Sequence, residues 1–352
     1  MGDLDVSWCL LFLTNELRRH EQVCGFVYTE LTDIEWEHNG IYDYDRSAKE
    51  FGYDPALILG QEFVGFDCAP ASTVSSGATV ELPVFLRPSA RAASLGWRTT
   101  WRATFTDRLC NERVLVRRCA LRDVAADRAS ISLAVPDESG LVRVESVVED
   151  GCGRPSAMNL HFIEVVDEKR GASADDSIVL RLPAGVAEAE FEGPVERAEV
   201  DGVVHLLAGL ADGEAIYRFV LPDGIDGEDV ASLTLLAELS SAREGAPQTS
   251  TDRWPTRLRV AIGPTEAARL ELPDQPADAR GALSHMHGLL GRYGALVTAA
   301  VAGEQARAAI EGGVVTVRLT VERAATDRGG LTVYGSRAGR YPCDVTLLVK
   351  LV

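Results

Sequence analysis

The sequence predicts a mainly β protein in which a short α/β stretch precedes two sandwich-type modules. Three observations predict it. The chain has 352 residues, more than one compact domain usually holds. From Pro55 onward it runs as short segments of alternating apolar and polar residues punctuated by Gly, Pro, Asp and Ser, the pattern of sandwiches and jelly rolls. Between the two halves lies Asp167–Asp176 (DEKRGASADD), charged and without an apolar anchor, which reads as an interdomain linker.

The first element is helical. Val6, Cys9, Leu10, Leu13 and Leu17 recur with helical period, and the pattern stops near Arg18–His20. Val23–Thr29 follows as a continuous apolar run, predicted to be a strand of a buried parallel sheet. Beyond Pro55, Val80, Leu82, Val84 and Leu86 share one face of a strand. Trp97, Thr99, Trp101, Ala103 and Phe105 share another, with Arg98, Thr100, Arg102 and Thr104 opposite. Two tryptophans on the apolar face of a strand read as core in preference to a sugar-stacking platform. Ile131, Leu133 and Val135 add a strand. After the linker, strands are predicted at Ile216–Leu221, Leu233–Leu236, Arg257–Ile262, Val314–Val321 and Val345–Val352, sufficient for an eight- or nine-stranded sandwich, with Ala299–Ile310 as a short helix or loop.

Composition excludes several classes. With 35 Lys plus Arg against 53 Asp plus Glu, a formal charge of -18 disfavours nucleic acid and anionic membranes as partners. The seven cysteines are dispersed and odd in number, and they match neither a zinc pattern nor a disulfide framework. No apolar run reaches the length of a membrane span and no basic region leads into a signal sequence, so a cytoplasmic location is expected.

The run Val23–Arg46, VCGFVYTELTDIEWEHNGIYDYDR, resembles the last strand and following loop of the catalytic barrel in family 2 glycoside hydrolases. The likeness covers about fifty residues with the preceding helix. It implies that residues 1–55 are the end of a TIM barrel and that Tyr28, Thr29, Glu30 and Asp33 line a sugar pocket at its strand ends. It also implies that the family's acid/base and nucleophile lie upstream, so no catalytic residue is assigned here. Glycoside hydrolysis needs two carboxyls held across the scissile bond, and Glu30, Asp33, Glu35 and Glu37 read as a loop remnant rather than such a pair.

Residues 56–168 resemble the immunoglobulin-like sandwich that follows the barrel in many of these enzymes. Residues 175–352, through LPDQPADARGALSH (Leu272–His285), GLLGRYG (Gly288–Gly294) and GRYPCD (Gly339–Asp344), resemble their galactose-binding-like jelly roll. Sugar-binding candidates there are Trp254, Arg280, His285, Tyr293 and Tyr334, with His287 and Tyr341 beside them. Each also has a structural reading: Tyr334 and Tyr341 as caps of the core, Arg280 as the partner of Asp274 or Asp278, and the two histidines as neighbours on one face of an extended segment. No cofactor is implied; a structural calcium held by Asp side chains and carbonyls is the metal this composition accommodates best, ahead of a zinc or copper site on two histidines.

The resemblance implies an accessory part of a β-galactosidase- or β-glucuronidase-like enzyme with carbohydrate as its partner. The alternative is an interaction subunit in which the strand at 23–29 meets a barrel-bearing protein or a second copy of the chain.

Overall fold

The structure, a computed structural model, describes residues 6–35, 37–87, 97–121, 127–167, 177–243, 255–272, 281–289, 292–324 and 329–352. The chain divides into two compact units, one of residues 4–169 with 278–282, the other of residues 1–3, 170–277 and 283–352. Most of the expected linker, residues 168–176, falls outside the described residues, as do Trp254 and Arg280.

The first unit opens with helix α1 (Val6–Arg19), whose last-turn arginines suit the negative end of its dipole. The helix buries a stripe different from the expected one: Trp8, Leu10, Leu11, Thr14 and Asn15 face inward, whereas Leu13 is 57% exposed. The cause is polar. Asn15 donates to the Phe66 carbonyl and accepts the Phe66 N–H, both at 3.0 Å, and accepts from Asn159 Nδ2 at 2.9 Å. Buried amides require such partners, and satisfying this one fixes the rotation of the helix. Trp8 packs on Phe162 with ring centroids 5.3 Å apart.

Val23–Thr29 is not a strand. Val27 is 91% exposed, and the segment joins no sheet among the described residues. A barrel strand must be paired on both edges to satisfy its backbone, and no such neighbours flank it here. Only isolated bridges, Thr32 to Tyr42, Ile34 to Glu37 and Tyr42 to Ala48, organise the following loop. The expected barrel remnant is therefore a surface helix and loop.

After the one-turn helix α2 (Ala56–Leu59) come β1 (Phe63–Phe66), β2 (Ala71–Ser75), β3 (Thr79–Arg87), β4 (Arg98–Asp107), β5 (Glu112–Ala120), β6 (Arg128–Ala134), β7 (Gly140–Glu149) and β8 (Pro155–Val166). They form a three-stranded sheet, β1-β3-β6, and a five-stranded sheet, β2-β8-β7-β4-β5, in which β2 pairs parallel to β8. Leu82, Val84, Ile131 and Leu133 of one sheet meet Trp101, Phe105, Val142, Val144 and Ile163 of the other, with Trp97 against the same core. Trp101 is thus a core residue, and Trp97 packs half-buried against the same core.

The second unit is a larger sandwich. Its strands are β9 (Ser177–Leu182), β10 (Glu188–Phe191), β11 (Val195–Val200), β12 (Val203–Leu210), β13 (Gly213–Val220), β14 (Val230–Arg243), β15 (Thr256–Ile262), β16 (Thr265–Leu272), β17 (Ala295–Ala302), β18 (Ile310–Glu311), β19 (Val314–Ala324), β20 (Gly329–Tyr334) and β21 (Val345–Leu351). That makes thirteen strands among the described residues, against the eight or nine expected. The expected helix or loop at Ala299–Ile310 is the end of β17, helix α4 (Glu304–Ala308) and the start of β18. Helix α3 (Ala282–Met286) precedes them.

A six-stranded sheet, β10-β13-β19-β15-β16 with β18 beside β19, faces a seven-stranded sheet, β11-β12-β20-β14-β21-β9 with β17 beside β14. Tyr217, Phe219, Val317 and Leu319 interleave with Leu207, Leu233, Leu235 and Val333 to fill the space between. Burying each such side chain stabilises by about 1.5–3 kcal/mol.

Candidate functional site

In the first unit the loop 28–49 is a polar knot built around Asp33, which is 3% exposed. Its Oδ1 accepts the Gly40 N–H at 2.8 Å and Lys49 Nζ at 2.6 Å, and its Oδ2 lies 3.5 Å from His38 Nδ1. Lys49 also donates to the His38 carbonyl at 3.0 Å. Gly40 cannot carry a side chain, because a Cβ there would meet the Thr32 and Asp33 backbone. Tyr28 donates its hydroxyl to the Asn39 carbonyl, and Asn39 Nδ2 donates back to the Thr29 carbonyl. Burial raises the Tyr28 phenol above its ordinary range, and the neighbouring Asp33 charge adds to the effect.

The structure therefore brings Tyr28, Thr29, Glu30 and Asp33 into one loop. Tyr28 and Glu30 are half-buried, and Thr29 is exposed. Glu30 Oε1, Asp33 Oδ2, His38 Nε2 and Asn39 Oδ1 are buried without a hydrogen-bond partner among the described residues. Such atoms cost about 1–3 kcal/mol each unless water or a ligand reaches them. His38, Asn39 and Lys49 were not singled out from sequence; the Asn-Gly pair at 39–40 is the signal that was available.

In the second unit the candidates gather around a residue that sequence reasoning missed, Glu238 on β14, which is fully buried. Its carboxyl accepts the backbone N–H of Gly294 at 2.7 Å, of Arg340 at 2.8 and 3.1 Å, and of Tyr341 at 2.8 Å. Burial pushes it up to about 7, while those N–H groups and the Arg340 charge pull the other way. Gly339, at φ 76°, passes so close that a Cβ would collide with the carboxylate.

Tyr293 and Tyr341 flank this carboxyl through their backbones, and Ser284 ties the two segments together. Its hydroxyl accepts the Gly339 N–H at 2.7 Å and donates to the Arg292 carbonyl. Tyr334 is 2% exposed and its hydroxyl bonds Ser240 Oγ at 3.0 Å and the Tyr293 carbonyl at 3.1 Å. Its ring is covered by protein, so the capping role applies to it and sugar stacking does not. His285 lies in the last turn of α3 and His287 follows in a turn, so the two do not share a face of an extended segment.

All seven cysteines are free thiols. Among the described residues no group of three or more His, Cys, Asp or Glu side chains could hold a metal ion, and no helix is long and apolar enough to cross a membrane.

No protein-family model matches the sequence, and no curated protein does. Among solved structures, the chain is similar to murine CRIg (10% identity, 30% of this chain and 98% of that one, TM-score 0.22). It is also similar to an alpha-L-rhamnosidase from Dictyoglumus thermophilum (8% identity, 80% of this chain and 30% of that one, TM-score 0.19). A third is trypsin-activated alpha-2-macroglobulin from Escherichia coli (12% identity, 80% of this chain and 15% of that one, TM-score 0.23). Overlaps this loose carry no argument about function; what the chain itself establishes is a mainly β protein of two sandwich units.

Proposed function

We propose that this chain is the carbohydrate-associated accessory portion of a β-glycosidase of the family 2 type, β-galactosidase- or β-glucuronidase-like, and that it does not hydrolyse glycosides by itself. The supporting observation is the 28–49 knot, in which Glu30 Oε1, Asp33 Oδ2 and Asn39 Oδ1 are buried acceptors without a hydrogen-bond partner among the described residues, Asp33 Oδ2 lying 3.5 Å from His38 Nδ1. Sugar hydroxyls are donors of the size and chemistry that satisfy such atoms. The test is ligand-observed NMR of the whole chain with galactose, glucose and glucuronate. Saturation transfer to at least one sugar, reduced in Glu30→Gln, is the expected result. No transfer to any of the three would remove the reading.

A second reading, an interaction subunit, has its own observation. Of the fourteen exposed large apolar residues among the described residues, eight fall between Leu13 and Tyr44: Leu13, Leu17, Val23, Val27, Leu31, Ile34, Tyr42 and Tyr44. Exposed apolar surface at this density marks contact sites. A barrel-bearing protein or a second copy of the chain would cover it. Sedimentation of wild type against Val27→Asp separates the readings: self-association lost in the variant favours a second copy, and a monomer in both leaves a barrel as the occupant.

A further inference from the structure

The 28–49 knot satisfies its polar atoms unequally. Asp33 Oδ1 accepts twice, from the Gly40 N–H and from Lys49 Nζ, whereas Asp33 Oδ2, Glu30 Oε1, Asn39 Oδ1 and His38 Nε2 have no hydrogen-bond partner among the described residues. Three of these four atoms are acceptors by their chemistry: two carboxylate oxygens, and an amide oxygen whose Nδ2 already donates to the Thr29 carbonyl. The fourth is made an acceptor by its neighbour. His38 Nδ1 lies 3.5 Å from Asp33 Oδ2, and a proton on Nδ1 facing that carboxylate leaves Nε2 with its lone pair. The Asp33 and His38 side chains are 1% and 9% exposed, so neither is solvated by bulk water.

The bonds of the loop draw these groups together. Asn39 Nδ2 holds the Thr29 carbonyl, next to Glu30, while the Gly40 N–H, one residue on, holds Asp33. Charge is met unequally as well. Lys49 pairs with Asp33 at 2.6 Å, but Glu30 pairs with no cation among the described residues. Residues 28–50 carry seven carboxylates against Arg46 and Lys49. Lys49 shows what such surroundings accept: its ammonium donates to Asp33 Oδ1 and to the His38 carbonyl, at 2.6 and 3.0 Å.

A hydroxyl both donates and accepts, whereas an ammonium only donates. Acceptors without donors, one of them an unpaired carboxylate, therefore match a cationic donor better than a neutral group, and an anionic ligand worst. Because no group of three or more His, Cys, Asp or Glu side chains among the described residues could hold a metal ion, the cation that fits is an organic ammonium.

We propose that the knot takes a saccharide bearing a free amino group, its ammonium seated among Glu30, Asp33 and Asn39 beside His38. The inference rests on the carbohydrate-associated reading and narrows it from saccharides in general to amino sugars. The site is at the surface of the unit: Thr29, Leu31, Ile34 and Glu35 are exposed, and Glu30, His38 and Asn39 are half-buried. Lys49 stays in place, since it bonds the other oxygen of Asp33.

The test measures dissociation constants on the whole chain at pH 6, with the amine protonated, for glucosamine, N-acetylglucosamine, glucose, glucuronate and butylamine. Glucosamine should bind about tenfold more tightly than glucose or N-acetylglucosamine, which carry a hydroxyl or an uncharged amide at the same position, and glucuronate should bind weakest. The advantage should shrink as salt is raised and vanish in Glu30→Gln. Glucose binding as tightly as glucosamine, or an advantage that survives Glu30→Gln, overturns the amino-sugar inference and leaves the carbohydrate-associated reading standing. Butylamine binding as tightly as glucosamine makes the ammonium alone the ligand, as a lysine of another protein presents it, and overturns the saccharide. Absence of binding by every sugar removes both readings. Should Glu30→Gln fail to fold, the wild-type ranking of glucosamine, N-acetylglucosamine and glucose decides alone.

Discussion

Each of the two sandwich units buries, among the described residues, a titratable group whose charged form burial disfavours, and the two groups respond to pH in opposite directions. In the first unit His161, 1% exposed, contacts Ser72 Oγ at 3.4 Å and Cys68 Sγ at 3.9 Å, with Phe66 5.3 Å away centroid to centroid. Burial holds its imidazole down at about 4. In the second unit burial pushes Glu238 up to about 7. The same physics, the cost of burying charge, acts on both. The base is kept neutral by losing its proton and the acid by keeping it. Through these two groups alone, acid disfavours the folded form of the first unit and favours that of the second.

The largest effect that sharpens this contrast is on the first unit. The His161 imidazole titrates lower in the folded protein than its ordinary value of 6.5, so the unfolded chain binds the extra proton between those limits. Stability is fully present above about 6.5 and is lost as pH falls through 4, by roughly 3 kcal/mol. Hydrogen exchange read peptide by peptide should show that loss in residues 56–167 and not in 177–352, and His161→Gln should abolish it. Acid weakening of both units alike would break the comparison.

Next in size is Asn159→Ala. The amide donates to Asn15 at 2.9 Å and to the Val64 carbonyl at 3.1 Å, and accepts the Leu160 N–H at 2.8 Å. Its removal leaves buried groups unpaired and should cost about 2–3 kcal/mol by urea melting, with α1 exchanging faster while the second unit is unchanged. A neutral result would show that α1 is held by its apolar contacts alone. Smallest is Arg102→Ala, which breaks an exposed pair with Glu145 at 2.9 Å. It should shift stability by less than about 1 kcal/mol at any pH, confining the pH response to the buried groups.

The β modules were legible in the sequence because alternation is local. Val80–Leu86, Trp97–Phe105 and Val314–Val321 each state their inner face within a few residues, and the structure pairs them accordingly. The first fifty-odd residues were less so. Apolar period alone pointed to the Leu10, Leu13 and Leu17 stripe of α1, whereas the rotation is decided by Asn15, through partners at Phe66 and Asn159 far along the chain. Val23–Thr29 has strand composition, yet composition supplies no neighbouring strands. Glu238 was missed for the same reason. A single acid in the run Leu235–Leu239 reads as an outward, solvated position on a strand, and what buries it is a loop about a hundred residues later.

The central claim, a carbohydrate-associated portion without hydrolysis of its own, is tested most directly by incubating the purified chain with a panel of nitrophenyl β-glycosides beside its Glu30→Gln and Asp33→Asn variants. Release of nitrophenol at the uncatalysed rate with every sugar is the predicted result. Turnover that disappears in those variants would contradict it and place a working carboxylate pair in the 28–49 knot.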